Sequence, residues 1–72
     1  MKVILKDSVY EMNRKQFRAV LQVAKEAVKR GIYAVEKDGL TEMKKDEFSS
    51  KEKLIKAVAE YENKGFKVYY NS

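Results

Sequence analysis

The chain predicts a single small α+β domain spanning residues 1–72, an antiparallel-rich sheet with two helices on one face in the order ββαββαβ. Three observations carry that prediction. Two stretches show the apolar period of amphipathic helices, each opened by a capping pattern and followed by a glycine. Short β-prone runs surround them, one interrupted by the hairpin sequence Lys37-Asp38-Gly39. The order of these runs also recurs 31 residues on, as an internal ββα repeat: Val3 to Phe17 aligns without gaps to Ala34 to Phe48, with identities at Lys6/Lys37, Asp7/Asp38, Glu11/Glu42, Met12/Met43 and Phe17/Phe48.

Taken in order, Lys2 to Lys6 is β-prone, Asp7 and Ser8 mark a turn, and Val9 to Met12 is either a return strand or a loop. If it is a loop, the order collapses to the ferredoxin-like βαββαβ. Asn13 with Gln16 forms a capping box opening the first helix, which Gly31 is expected to stop in the left-handed conformation. At 100° per residue Phe17, Val20, Leu21, Val23, Ala24, Ala27 and Val28 share one apolar arc, and Arg14, Arg18, Lys25 and Lys29 fall within about 60° of each other on the other side, a stripe about 22 Å long. Ile32 to Glu36 and Leu40 to Lys44 form a hairpin around Asp38-Gly39. Ser49 with Glu52 suggests a second capping box, for a helix running to about Asn63 with Leu54, Val58 and Tyr61 in its core stripe; Gly65 ends it. Phe66 to Tyr70 closes the chain as a strand. Matching the two glycine exits puts Ile32, Ala34, Phe66 and Val68 under the helices and leaves Tyr33, Val35, Lys67 and Tyr69 on an open sheet face.

Composition narrows the function. The net charge is +5, and the segment from Asn13 to Gly31 holds all of it, with six bases against Glu26. Like-charge pairs at i,i+4 (Arg14 with Arg18, Lys25 with Lys29) each cost a helix roughly 0.2–0.5 kcal/mol, and Arg14 and Lys15 sit in the first turn, where the helix dipole favours acids. Such a stripe is either a plain solvated face or a contact surface for an acidic protein or a nucleic acid. The chain has no Cys and no His, which removes disulfide staples, structural zinc and the commonest nucleophile and proton shuttle. Asp7 with Glu11 and Asp38 with Glu42 match no calcium loop and read as solvated turn carboxylates. All three glycines fall at turns and helix exits, leaving none for a phosphate loop. No metal or cofactor is expected, and no catalytic residue. Nothing resembles a signal peptide or a membrane span, so a cytoplasmic protein is expected. Tyr33, Lys67 and Tyr69 on an open sheet could stack bases, although the RNA-recognition signature is absent. The same face could bury itself against a second copy as a homodimer.

The run from Val9 through Phe17, followed by Gly31 to Lys37 (GIYAVEK), resembles short uncharacterised reading frames of bacteriophages and mobile elements of Gram-positive bacteria. The resemblance implies a non-enzymatic accessory protein that binds a host macromolecule and blocks or redirects it. It transfers no site residues. The sequence therefore predicts a basic binding module, acting as a protein inhibitor or adaptor, with nucleic-acid binding as the alternative. Its contact residues would be Arg14, Arg18, Lys25 and Lys29, with Tyr33, Lys67 and Tyr69 as a second patch.

Overall fold

Seven elements follow one another in the computed structural model, which describes all 72 residues: β1 (Lys2–Leu5), β2 (Ser8–Glu11), α1 (Arg14–Ala27), β3 (Gly31–Lys37), β4 (Leu40–Glu47), α2 (Lys51–Asn63) and β5 (Lys67–Asn71). They make one five-stranded sheet in the order β2-β1-β4-β3-β5. Every neighbouring pair is antiparallel except β1 and β4, which join the two hairpins in parallel. The segment after Asp7 is thus a true return strand, and the ferredoxin-like alternative does not apply. In the second hairpin Asp38 and Gly39 both take positive φ, 53° and 77°, as a tight two-residue turn between right-twisted strands demands.

Both helices start on local chemistry. The Asn13 side chain accepts from the Gln16 N–H at 2.8 Å while Gln16 returns the bond to the Asn13 N–H at 3.0 Å, the reciprocal box expected. At α2 the cap is Ser50, one residue later than the Ser49–Glu52 pattern suggests; its hydroxyl accepts from the Lys53 N–H at 3.3 Å. The far ends differ from each other. Gly65, at φ 89°, closes α2 in a Schellman turn: Phe66 N–H donates to Tyr61 C=O at 3.1 Å and Gly65 N–H to Glu62 C=O at 3.0 Å. The accompanying apolar contact is the edge-on packing of Tyr61 and Phe66, 5.5 Å between centroids. Helix α1, by contrast, stops at Ala27, and Val28 is already extended with φ −122°. Gly31 is not its stop. It opens β3, has no positive φ, and is glycine because a Cβ there would lie 2.1 Å from the Asp46 carbonyl oxygen. The carbonyls that Gly31 was expected to terminate are met by β5, where Asn71 Nδ2 donates to Lys25 O and Val28 O, both at 2.8 Å.

The helices sit on opposite faces of the sheet, not together on one. Ile32 and Val35 pack with Leu54 and Val58 of α2, whereas Tyr33 and Ala34 pack with Val28, Leu21 and Ala24 on the α1 side. Adjacent strand residues point to opposite faces, so Ala34 and Val35 alone assign the two helices to different sides. Topology gives the reason. β2 and β3 run parallel, as do β4 and β5, and both crossovers advance across the sheet in the same direction. Since they start from antiparallel strands, crossovers of one hand must pass over opposite faces. Within β3 the alternation itself breaks at Tyr33, where the register shifts against both neighbours. Tyr33 and Ala34 consequently share the α1 side, which a strict period of two could not foresee.

The ββα order does repeat, but the gapless alignment is not a structural one. It matches Asn13, the cap of α1, with Lys44 in the middle of β4, and Phe17 of α1 with Phe48 before α2. β2 has four residues and β4 eight, so equivalent elements end out of step.

Candidate binding surface

Arg14, Arg18 and Lys25 are exposed along one flank of α1 and lie over about 16 Å of helix. Lys29 drops out of the stripe because the helix ends two residues before it. Within the 14 residues of α1 the bases Arg14, Lys15, Arg18 and Lys25 face only Glu26, whose carboxylate is taken by Gln22 Nε2 at 2.9 Å. The molecule has two ion pairs, Met1 with Glu11 and Lys44 with Asp46. No basic side chain of α1 is neutralised from within.

The aromatic residues are not on an open face. Tyr33 is 9% exposed and Tyr69 half-buried, both beneath the α1 flank, with ring centroids 6.1 Å apart at 45°. Leu21 comes down beside them from the helix. The Tyr69 hydroxyl donates to Glu36 Oε1 at 3.1 Å, and Lys67 Nζ stands 5.0 Å from its ring centroid. Burial pushes the Tyr69 hydroxyl above the ordinary tyrosine range, with Lys67 pulling the other way and Glu36 adding to the rise. Tyr33 is buried against α1 and Tyr69 is partly covered by the Tyr33 ring and Lys67, so the open aromatic sheet face expected from the sequence is not present.

The fold does bring together two groups that the sequence placed on separate surfaces. Arg18, Gln22 and Lys25 form one wall of a shallow groove of about 380 Å³, and Tyr33 and Tyr69 form its floor. Lys67 flanks that floor. Gln22 was missed because it lies off the cationic stripe on the helical wheel, and Glu36 because nothing local marks it as the partner of Tyr69. Together these residues form a cationic ridge beside a cleft with polar-tipped aromatic edges, which suits carboxylate-bearing surfaces.

Two further titratable groups lie elsewhere. Glu11 is held below the ordinary carboxylate range, first by its 2.9 Å hydrogen bond from the N-terminal ammonium and then by that group's charge. Lys44 lies on the α2 side with its Nζ 5.8 Å from the Tyr61 ring centroid. Burial works against its charge, but the Tyr61 hydroxyl and the carboxylates of Asp46 and Glu42 outweigh it and raise its pKa. No three His, Cys, Asp or Glu side chains come together in a way that could hold a metal ion. No helix is long and apolar enough to cross a membrane. No protein-family model, curated protein or solved structure matches the chain.

Proposed function

We propose that this is a non-enzymatic binding protein, of the accessory kind made by phages and mobile elements, that docks on an acidic surface of a host protein as an inhibitor or adaptor. The observation that carries the proposal is the unneutralised Arg14, Arg18, Lys25 ridge lying beside the Tyr33–Tyr69 groove. Arginine and tyrosine dominate the energetics of protein interfaces, and here they form one continuous surface. The like-charge spacing on α1 costs the isolated helix stability, which a partner's carboxylates would return on binding.

The ridge keeps nucleic-acid binding as a second reading, because three cations along a helix can follow a phosphate backbone without any stacked base. Such binding would be non-specific and would weaken steeply with salt.

The test is the triple variant Arg14→Glu, Arg18→Glu, Lys25→Glu, set beside Lys29→Glu. Protein partners captured from host lysate by the wild type should be lost with the triple variant and kept with Lys29→Glu, while circular dichroism shows the fold unchanged. Fluorescence anisotropy with labelled single-stranded and duplex DNA and RNA decides the alternative. Binding that persists at about 150 mM salt and disappears with the triple variant makes nucleic acid the ligand. Retention of the partner by a folded triple variant removes the ridge from the function.

A further inference from the structure

Tyr33 is the most deeply buried of the five tyrosines, and its ring packs with Val28 and Ala34 under α1. Its hydroxyl makes no hydrogen bond within the molecule, whereas that of Tyr69 beside it donates to Glu36. No polar side-chain atom is sealed away without a partner, so the Tyr33 oxygen opens onto accessible space, and the one cavity that Tyr33 lines is the groove beneath Arg18 and Lys25. Phenylalanine would pack the same cluster without carrying a hydroxyl into a site nine-tenths closed to water, where a polar group is costly unless it is bonded.

The cations above this hydroxyl are free as well. Arg18 and Lys25 stand two helical turns apart, about 10.5 Å along α1, and neither side chain enters an ion pair. Gln22, between them, holds Glu26, and Glu36 is bound to Tyr69 and does not line the groove. The lining therefore offers two ammonium or guanidinium groups and one hydroxyl, all unused, and no carboxylate. Tyr69 shows the bond that such a hydroxyl makes here: it donates to a carboxylate, with the Lys67 ammonium close to its ring. The same arrangement at Tyr33 lacks only the acid.

We propose that the groove is a specific site for one glutamate side chain of the partner protein, whose carboxylate accepts from the Tyr33 hydroxyl and lies between the Arg18 guanidinium and the Lys25 ammonium. This rests on the reading of the ridge as a docking surface and adds the residue that makes it selective. A glutamate suits the groove because its methylenes can run over Leu21 and the tyrosine edges while the charged tip reaches the floor. A phosphodiester belongs to the outside of a broad polymer, so it can meet the exposed ridge but not a hydroxyl at the bottom of a groove of about 380 Å³. In that partly dry position a charge-assisted hydrogen bond is stronger than the same contact on the open ridge.

The experiment selects a random dodecapeptide library displayed on phage against the wild type, with depletion on the triple variant Arg14→Glu, Arg18→Glu, Lys25→Glu. An enriched peptide is then synthesised and titrated into isotope-labelled protein. The enriched sequences should share a glutamate, and the Tyr33 ring resonances should shift with those of Arg18 and Lys25. Tyr33→Phe, and replacement of the shared glutamate by alanine, should each weaken binding at least about tenfold. With the alanine peptide, Tyr33→Phe should cost less than about twofold, because the bond it deletes is already gone. Tyr33→Phe keeps the ring, and the peptide change leaves the protein untouched, so a loss seen with both is no folding defect. A folded Tyr33→Phe protein that binds as tightly as wild type, or one whose loss is the same for both peptides, overturns the proposal and leaves the ridge as the docking surface. Absence of enrichment over the triple variant overturns the proposal and the ridge together.

Discussion

At Gly31 the constraint is distance, not dihedral angle. The strand passes so close to β4 that a methyl group would meet backbone, the Asp46 carbonyl oxygen at 2.1 Å, with Val28 Cγ1 at 2.8 Å on another side. Backbone cannot rotate away as a side-chain tip can, so Gly31→Ala must push β3 and β4 apart and is expected to cost about 3 kcal/mol. Gly39 has the reverse problem: open space around it but φ at 77°. Gly39→Ala should therefore cost only about 1 kcal/mol, the strain of a left-handed alanine. Urea denaturation of the two variants checks the order, and a Gly31→Ala protein as stable as Gly39→Ala would show that the sheet yields there. The sequence marked both positions as glycine sites, but gave Gly31 the wrong reason because a glycine after an apolar helical run reads as a helix stop.

The elements were legible wherever their causes are local. The Asn13–Gln16 box, the Asp38-Gly39 turn and the Gly65 exit all rest on side chains within a few residues of one another, and each stands in the structure close to where the spacing put it. What was not legible comes from contacts made across the sheet. The end of α1 depends on Asn71, 43 residues beyond Val28, and the side on which each helix lies depends on the parallel pairing of β1 with β4. For the binding surface the same division holds. The cations of α1 were visible from helical spacing, but Tyr69 is covered because α1 lies on its side of the sheet, and Tyr33 joins it there through the kink in β3. The Asn71 latch gives a sharp test at this scale. Asn71→Ala removes two donors to helix carbonyls and should destabilise by about 1–2 kcal/mol, with faster amide exchange in the last turn of α1. Asn71→Asp should be worse near neutral pH, since a carboxylate there faces the negative helix end and cannot donate. Acidification that protonates it should narrow the gap between the two variants. Equal stability of Asn71→Ala and wild type would mean that water replaces the latch.

Across the whole molecule, β3 separates two small half-cores, Ile32, Val35, Leu54 and Val58 on one side and Val28, Tyr33 and Ala34 on the other. The two packed clusters hold only four and three buried residues, so each depends on the shared strand to stay ordered, and the domain should unfold as one unit. Leu54→Ala, at a fully buried site, is expected to cost about 2–5 kcal/mol, a large part of the stability of a domain this size. Native-state hydrogen exchange should then show faster opening not only in α2 but equally at Phe17 and Leu21 on the far side. Acceleration confined to α2 would instead make the two faces separate folding units. The kink at Tyr33 adds a further consequence. An ordinary strand can slide two residues past its neighbour and still keep each side chain on its proper face, which is how pairing errors survive. β3 cannot, because any slide moves its irregularity away from the place where both neighbours accommodate it, and one half-core or the other is turned inside out. The chain thereby carries its own proofreading mark at the centre of the sheet, where a mispaired strand would do the most damage.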